Sequence, residues 1–103
     1  MTKDPQVKAD VAQILTLIKK LFPGKSVELR IPGYGAIQCV AGGNHKRGIP
    51  PNTVEMSGPV LIKLCRDPNL WTDLVSDGQI QASGVASDLS QVFSAISEHY
   101  PSR

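Results

Sequence analysis

A chain of 103 residues, 41% hydrophobic and 19% charged, with a net charge of +2, has the make-up of one folded domain, 1–103, built on one core. The charge is too small to call for nucleic acid as a partner, and no apolar run approaches the roughly 18–20 residues that span a bilayer. Met1 to Pro5 lead straight into a helical pattern with no signal-peptide core, which predicts a cytoplasmic protein, and Cys39 and Cys65, each inside an apolar run, then read as reduced core residues.

Asp4-Pro5 is a helix start, an N-cap acceptor followed by proline at the first helical position. Val7, Val11, Ile14, Leu15, Ile18, Leu21 and Phe22 then recur with the 3.6-residue period of one buried face. Lys19 and Lys20 suit the negative helix C-terminus, and Pro23-Gly24 ends the helix. From Val27 to Ile31 apolar and polar residues alternate, as in a half-buried strand. Pro32 to Gly35 is a turn, and a second strand over about Ala36 to Ala41 completes a hairpin. Its inner face is open between Ile37 with Cys39 and Ala36 with Val40. Gly42 to Pro51 reads as a loop long enough to suggest a function.

Asn52 to Met56 resumes the alternation with Val54 and Met56 inward. Ser57-Gly58-Pro59 starts a helix burying Val60, Leu61, Leu64 and Cys65, and Asp67-Pro68-Asn69 breaks it. A short helix at Trp71, Leu74 and Val75 stops at Asp77-Gly78. A strand over Gln79 to Ser83 follows, with Ile80 and Ala82 inward. Gly84 ends it, and a last helix begins near Ser87-Asp88, with Asp88 in its first turn, burying Leu89, Val92, Phe93 and Ile96. The outward strand residues, among them Glu28, Arg30, Thr53, Glu55, Gln79 and Gln81, are all polar. One sheet face is therefore wet and the other covered by helices: an α+β two-layer sandwich.

The segment W-x-D-L-V-x-x-G-x-I-x-A-S-G-x-x-S-D-L-S, Trp71 to Ser90, resembles the closing segment of sterol carrier protein-like domains. With V-E-L-R-I-P-x-Y-x-A-I-Q-C-V, Val27 to Val40, and H-x-R-G-x-P-P-N-T-V-E, His45 to Glu55, the chain resembles the small bacterial, actinobacterial sterol-carrier-protein orthologues over roughly residues 5 to 100. The resemblance implies a mixed sheet of about four to five strands with helices on one face. In the wider superfamily an apolar tunnel between these layers holds a sterol, fatty acid or acyl-CoA.

Met56, Leu61, Leu64, Trp71, Leu74, Leu89 and Phe93 are expected to converge between sheet and helices, either as a filled core or as the wall of a ligand pocket. His45, Arg47, Asn52 and Glu55 form the polar candidate group. Lys46 and Arg47 beside the His45 imidazole suit a carboxylate or phosphate head, or Arg47 pairs with Glu55 or Glu28 to fix the loop to the sheet. Catalysis has little support. Two histidines and two separated cysteines match no metal-ligand spacing, and neither a G-x-S-x-G elbow nor a G-x-x-x-x-G-K-[ST] loop occurs. No catalytic residue, metal or cofactor is assigned. The leading expectation is a non-enzymatic binding module for an apolar or amphipathic small molecule. The alternative is a protein-interaction domain with a filled core.

Overall fold

A computed structural model describes residues 4–42 and 52–100. Helix α1 (Pro5–Leu21) starts where expected: the Asp4 carboxylate accepts the Gln6 N–H at 2.8 Å, and Pro5 gives up no hydrogen bond at the first position. Val11, Ile14, Leu15 and Ile18 form its buried stripe. Strands β1 (Val27–Ile31) and β2 (Gly35–Cys39) form the hairpin, closed by Gly33 at φ +84° and by the Tyr34 N–H on the Ile31 carbonyl. Register decides the inner face of β2. Cys39 lies opposite Val27 and Ile37 opposite Leu29, so these two point inward, while Ala36 and Gln38 lie on the outer face.

Strand β3 (Asn52–Met56) runs parallel to β1, with Leu29 beside Val54, so β2 ends and β3 begins at the same end of the sheet, with Cys39 and Asn52 on either side of Val27. Helix α2 (Gly58–Arg66) is capped by the Ser57 hydroxyl, which accepts the Val60 N–H. A single 3-10 turn, Pro68–Leu70, leads into the six-residue α3 (Trp71–Ser76), then β4 (Ile80–Ser83) antiparallel to β3, and α4 (Ser90–Ser97). Sheet order is β2-β1-β3-β4, a mixed four-stranded sheet in an α+β fold.

Two expectations for the last segment need correction. The final helix starts at Ser90, not near Ser87. Asp88 stands before it and its carboxylate accepts the Ser90 N–H at 2.9 Å, which serves the same unpaired donors from two residues before the helix. Ala82 lies on the inner face, opposite buried Val54, yet it is exposed, because the helix layer stops short of the inner face of this edge strand.

Tyr100 is buried, with Asp10 of α1 nearby. One end of the core is closed by a polar and backbone lock. At the end where β1 and β3 begin, Asn52 is 2% exposed. Its amide donates to the Ser26 carbonyl at 2.9 Å and to the Ser26 hydroxyl at 3.3 Å, and its oxygen accepts the Ala86 N–H at 2.9 Å. Gly84, at φ +110°, lies so close to Asn52 that any Cβ there would collide with it. Next to this lock, Val40 takes φ +66°, a left-handed conformation that costs a non-glycine residue roughly 1–2 kcal/mol. Its N–H on the Phe22 carbonyl at 2.7 Å and its carbonyl on the Ser26 N–H at 3.0 Å hold it there.

The two thiols, both free and fully buried, give a pH prediction. Burial pushes Cys39 up to about 11 and Cys65 up to about 12 from the usual 9.0. The native state then holds these protons when the unfolded chain has released them. The resulting stability is complete below pH 9 and is lost as pH rises toward the native values. Each thiol should cost about 2 kcal/mol at pH 10.5, and Tyr100, also raised by burial, acts in the same direction. Urea midpoints at pH 8 and pH 10.5 check this, and Cys65→Ala should lose less between the two pH values than the unchanged chain.

Candidate functional site

The inner face of β3 and β4 and the helices above it bring the apolar candidates together. Met56 extends from the end of β3, Leu61 and Leu64 from α2, Trp71 and Leu74 from α3, and Leu89 and Phe93 from the start of α4. Trp71 stacks on Phe93, ring centroids 6.1 Å apart and planes 27° from parallel, a contact worth about 0.5–1.5 kcal/mol beyond its burial. Leu61, Leu64 and Phe93 have no surface open to water, and Leu89 and Met56 expose 1% and 2%. A hollow wide enough for a water molecule would expose the side chains that wall it. No such hollow borders these three residues, as close packing of an interior requires.

The helix layer is less tight toward β4. Trp71 is 7% exposed, Val75 is half-buried, and Ala82 on β4 is open. A cleft of ≈ 460 Å³ lies along this edge, lined by Val75, Gly78, Ile80 and Ala82 on one side and by Arg30, Thr53, Glu55 and Gln81 of the outer sheet face on the other. A smaller cleft of ≈ 200 Å³ adjoins it at Pro32, Met56, Ser57 and Gln79, and Glu55 and Gln81 line both. Arg30 stands opposite Glu55 in the β1–β3 register and Gln81 opposite Glu55 in β3–β4, so the three form one polar row across the sheet. Arg30 also pairs with Glu28 at 3.2 Å, a solvent-exposed bridge of small energetic weight.

The polar candidates fare differently. Glu55 is half-buried at the meeting of the two clefts. Asn52 faces inward, its amide and carbonyl committed to Ser26 and Ala86, so its polar atoms hold the fold. His45 and Arg47, and with them the proposed pairing of Arg47, lie outside the described residues. Sequence reasoning did not name Val75, Thr53 and Gln81 as one cleft with Arg30. Alternation already put the three polar residues on the wet face. What it lacked was the strand order that makes them neighbours. Among the described residues no three His, Cys, Asp or Glu side chains are grouped to hold a metal ion, and no helix is long and apolar enough to cross a membrane.

The family model described as bacterial SCP ortholog matches residues 4–94. The chain belongs to the bacterial SCP ortholog family. No curated protein matches it. Among solved structures, this SCP ortholog is similar to one titled "UbiJ-SCP2 Ubiquinone synthesis protein", with 17% identity, a TM-score of 0.55, and coverage of 95% of this chain and 94% of that one. At that identity the likeness concerns the fold, and it agrees with the sheet-and-helix sandwich described above.

Proposed function

We propose that this SCP ortholog is a non-enzymatic, cytoplasmic binding module whose ligand is an apolar or amphipathic small molecule with a long hydrocarbon part, such as a fatty acid, acyl-CoA or sterol. The observation that carries the reading is the continuity of the β4 cleft with α3: Val75 lines the cleft, and Leu74 and Trp71 of the same six-residue helix cap the filled region behind it. The ligand enters when α3 moves aside. This helix has no side-chain N-cap, is joined to β4 through Asp77-Gly78, and is anchored by two buried side chains. Such an element belongs to the low-stability end of a fold.

The magnitudes are compatible. Lifting Trp71 and Leu74 forfeits about 2–3 kcal/mol for each side chain, whereas an alkyl chain with ten methylenes buried gains roughly 8 kcal/mol. A polar head is placed at the rim, where Arg30, Thr53 and Gln81 offer donors. Met56, Leu61, Leu64, Leu89 and Phe93 then become the wall against which the tail lies. Family membership supports the class of ligand, and the absence of a recognised catalytic motif supports a carrier over an enzyme.

Native mass spectrometry of gently purified protein, then of protein incubated with oleate and with oleoyl-CoA, tests this. One bound molecule per chain is expected for at least one of them. Unliganded spectra in all cases, with the protein folded, would contradict the reading.

A further inference from the structure

Strand β4 is an outer strand of the sheet, so every second residue in it turns its N–H and C=O away from β3. Among the described residues, Ile80 to Ser83 have no backbone hydrogen-bond partner outside β3. Free strand edges are ordinarily blunted by a charge or a proline. Gly78 to Ser87 contain neither, and Gln81, Ala82 and Ser83 are exposed.

The ≈ 460 Å³ cleft runs along this edge, and its two sides differ. On the inner face Val75 and the open Ala82 offer an apolar notch. On the outer face Gln81 stands beside Glu55 in the β3–β4 register. An extended peptide suits such a cleft, because its side chains alternate between the same two faces. Charge then selects among peptides. Residues 67–98 hold five acids, Asp67, Asp73, Asp77, Asp88 and Glu98, and none of the chain's eleven Lys and Arg. Asp73 and Asp77 lie exposed on α3 and on the turn that leads into β4. Glu55, half-buried where the two clefts meet, makes no salt bridge among the described residues, whereas Arg30 is engaged by Glu28.

We propose that the β4 edge takes up an extended, basic segment of a protein partner as a fifth strand, with apolar side chains against Val75 and Ala82 and cations toward Glu55 and Asp77. Main-chain hydrogen bonds hold such a segment, and the cleft sets which side chains it carries. A second copy of this chain suits the edge less well. It would bring two acidic edges together, and a four-residue strand buries far less than the roughly 1,200 Å² of a stable dimer. The segment lies across the rim where the ligand's polar head is placed, but it needs no ligand, since its bonds are to the strand and not to the space behind α3.

Amide correlation spectra of the nitrogen-labelled protein, free of lipid and titrated with a blocked hexapeptide alternating lysine and valine, test the proposal. Saturable shifts confined to β4, its β3 neighbours and α3 are expected, with slower hydrogen exchange at the outward amides of β4. A peptide alternating glutamate and valine should bind about tenfold more weakly or worse. So should the lysine peptide with its backbone nitrogens methylated, which keeps every charge and side chain but loses the donors. Glu55→Gln, which removes the attraction, and Gln81→Lys, which opposes cation to cation, should each weaken binding of the lysine peptide about fivefold. Gln81 is exposed and glutamine keeps the shape of Glu55, so thermal melts are expected to match the unchanged protein. Three results would overturn the proposal: no saturable shift or shifts away from β4; equal binding of the methylated peptide; or self-association that protects the β4 amides without peptide. None of them bears on whether a lipid binds, which native mass spectrometry reads separately.

Discussion

Phe93→Ala is expected to lower the free energy of unfolding by about 3–5 kcal/mol, the largest single effect foreseen in this fold. The ring is fully buried, stacks on Trp71, and sits where α4 packs against α2 and the Pro68–Leu70 turn. No neighbouring hollow eases the change, because Leu61 and Leu64 are as tightly enclosed. Urea unfolding followed by circular dichroism reads the loss, with the slope against denaturant unchanged if both states keep their extent. The same substitution tests the proposed ligand site from the other side. It opens an apolar space behind Trp71, so an alkyl ligand should raise the melting temperature of Phe93→Ala more than that of the unchanged protein, since binding to the native state stabilises by mass action. A loss under about 1 kcal/mol would mean that the core around Phe93 is not filled.

Asn52→Ala ranks second, at about 2–3 kcal/mol, for a different reason. The substitution removes almost no apolar contact. It leaves the Ser26 carbonyl and the Ala86 N–H without the partners they have in the native state, next to a side chain that is 2% exposed. Asn52→Asp separates the two halves of the lock. It keeps an acceptor for Ala86 but sets an oxygen against the Ser26 carbonyl, and it buries a charge at neutral pH. It should therefore be at least as harmful as alanine at pH 7 and should recover in part as pH falls and the new carboxyl is protonated. Differential scanning calorimetry of the two variants at pH 7 and pH 4.5 distinguishes these outcomes.

Much of this fold can be read from local pattern. Asp4-Pro5 and Ser57-Gly58-Pro59 start helices where their capping chemistry requires. The alternation of β1 and β3 gives both the strands and their inner faces. Less legible is whatever depends on which strands are neighbours. The face of β2 was open because Ile37 with Cys39 and Ala36 with Val40 are equally apolar; register against Val27 and Leu29 decides it, and Val40 leaves the strand in a left-handed conformation. Ala82 has the right phase for burial but lies on an edge strand, where covering depends on how far the helix layer reaches. The apolar candidates were recognisable as a group because each lies on the buried face of its own element. Whether that group is hollow is a matter of volumes, which periodicity does not carry. Asn52 shows the same limit for polar residues: next to a basic loop it resembles a ligand contact, and only the approach of Ser26 and Ala86 reveals a lock.

The arrangement as a whole is an enclosed core with the short α3 over its β4 side, held by buried Trp71 and Leu74. Trp71 is the sole tryptophan, sits on that helix, and is stacked on Phe93, so its emission reports the region through which the proposed ligand enters. Titration with oleate and oleoyl-CoA, below the concentrations at which they form micelles, is therefore the most direct measurement. A saturable change in Trp71 emission at one ligand per chain, weakened by Arg30→Gln for the charged heads, is the expected result. Emission that stays constant while a ligand demonstrably binds elsewhere, or with no ligand bound at all, would contradict an apolar site behind α3.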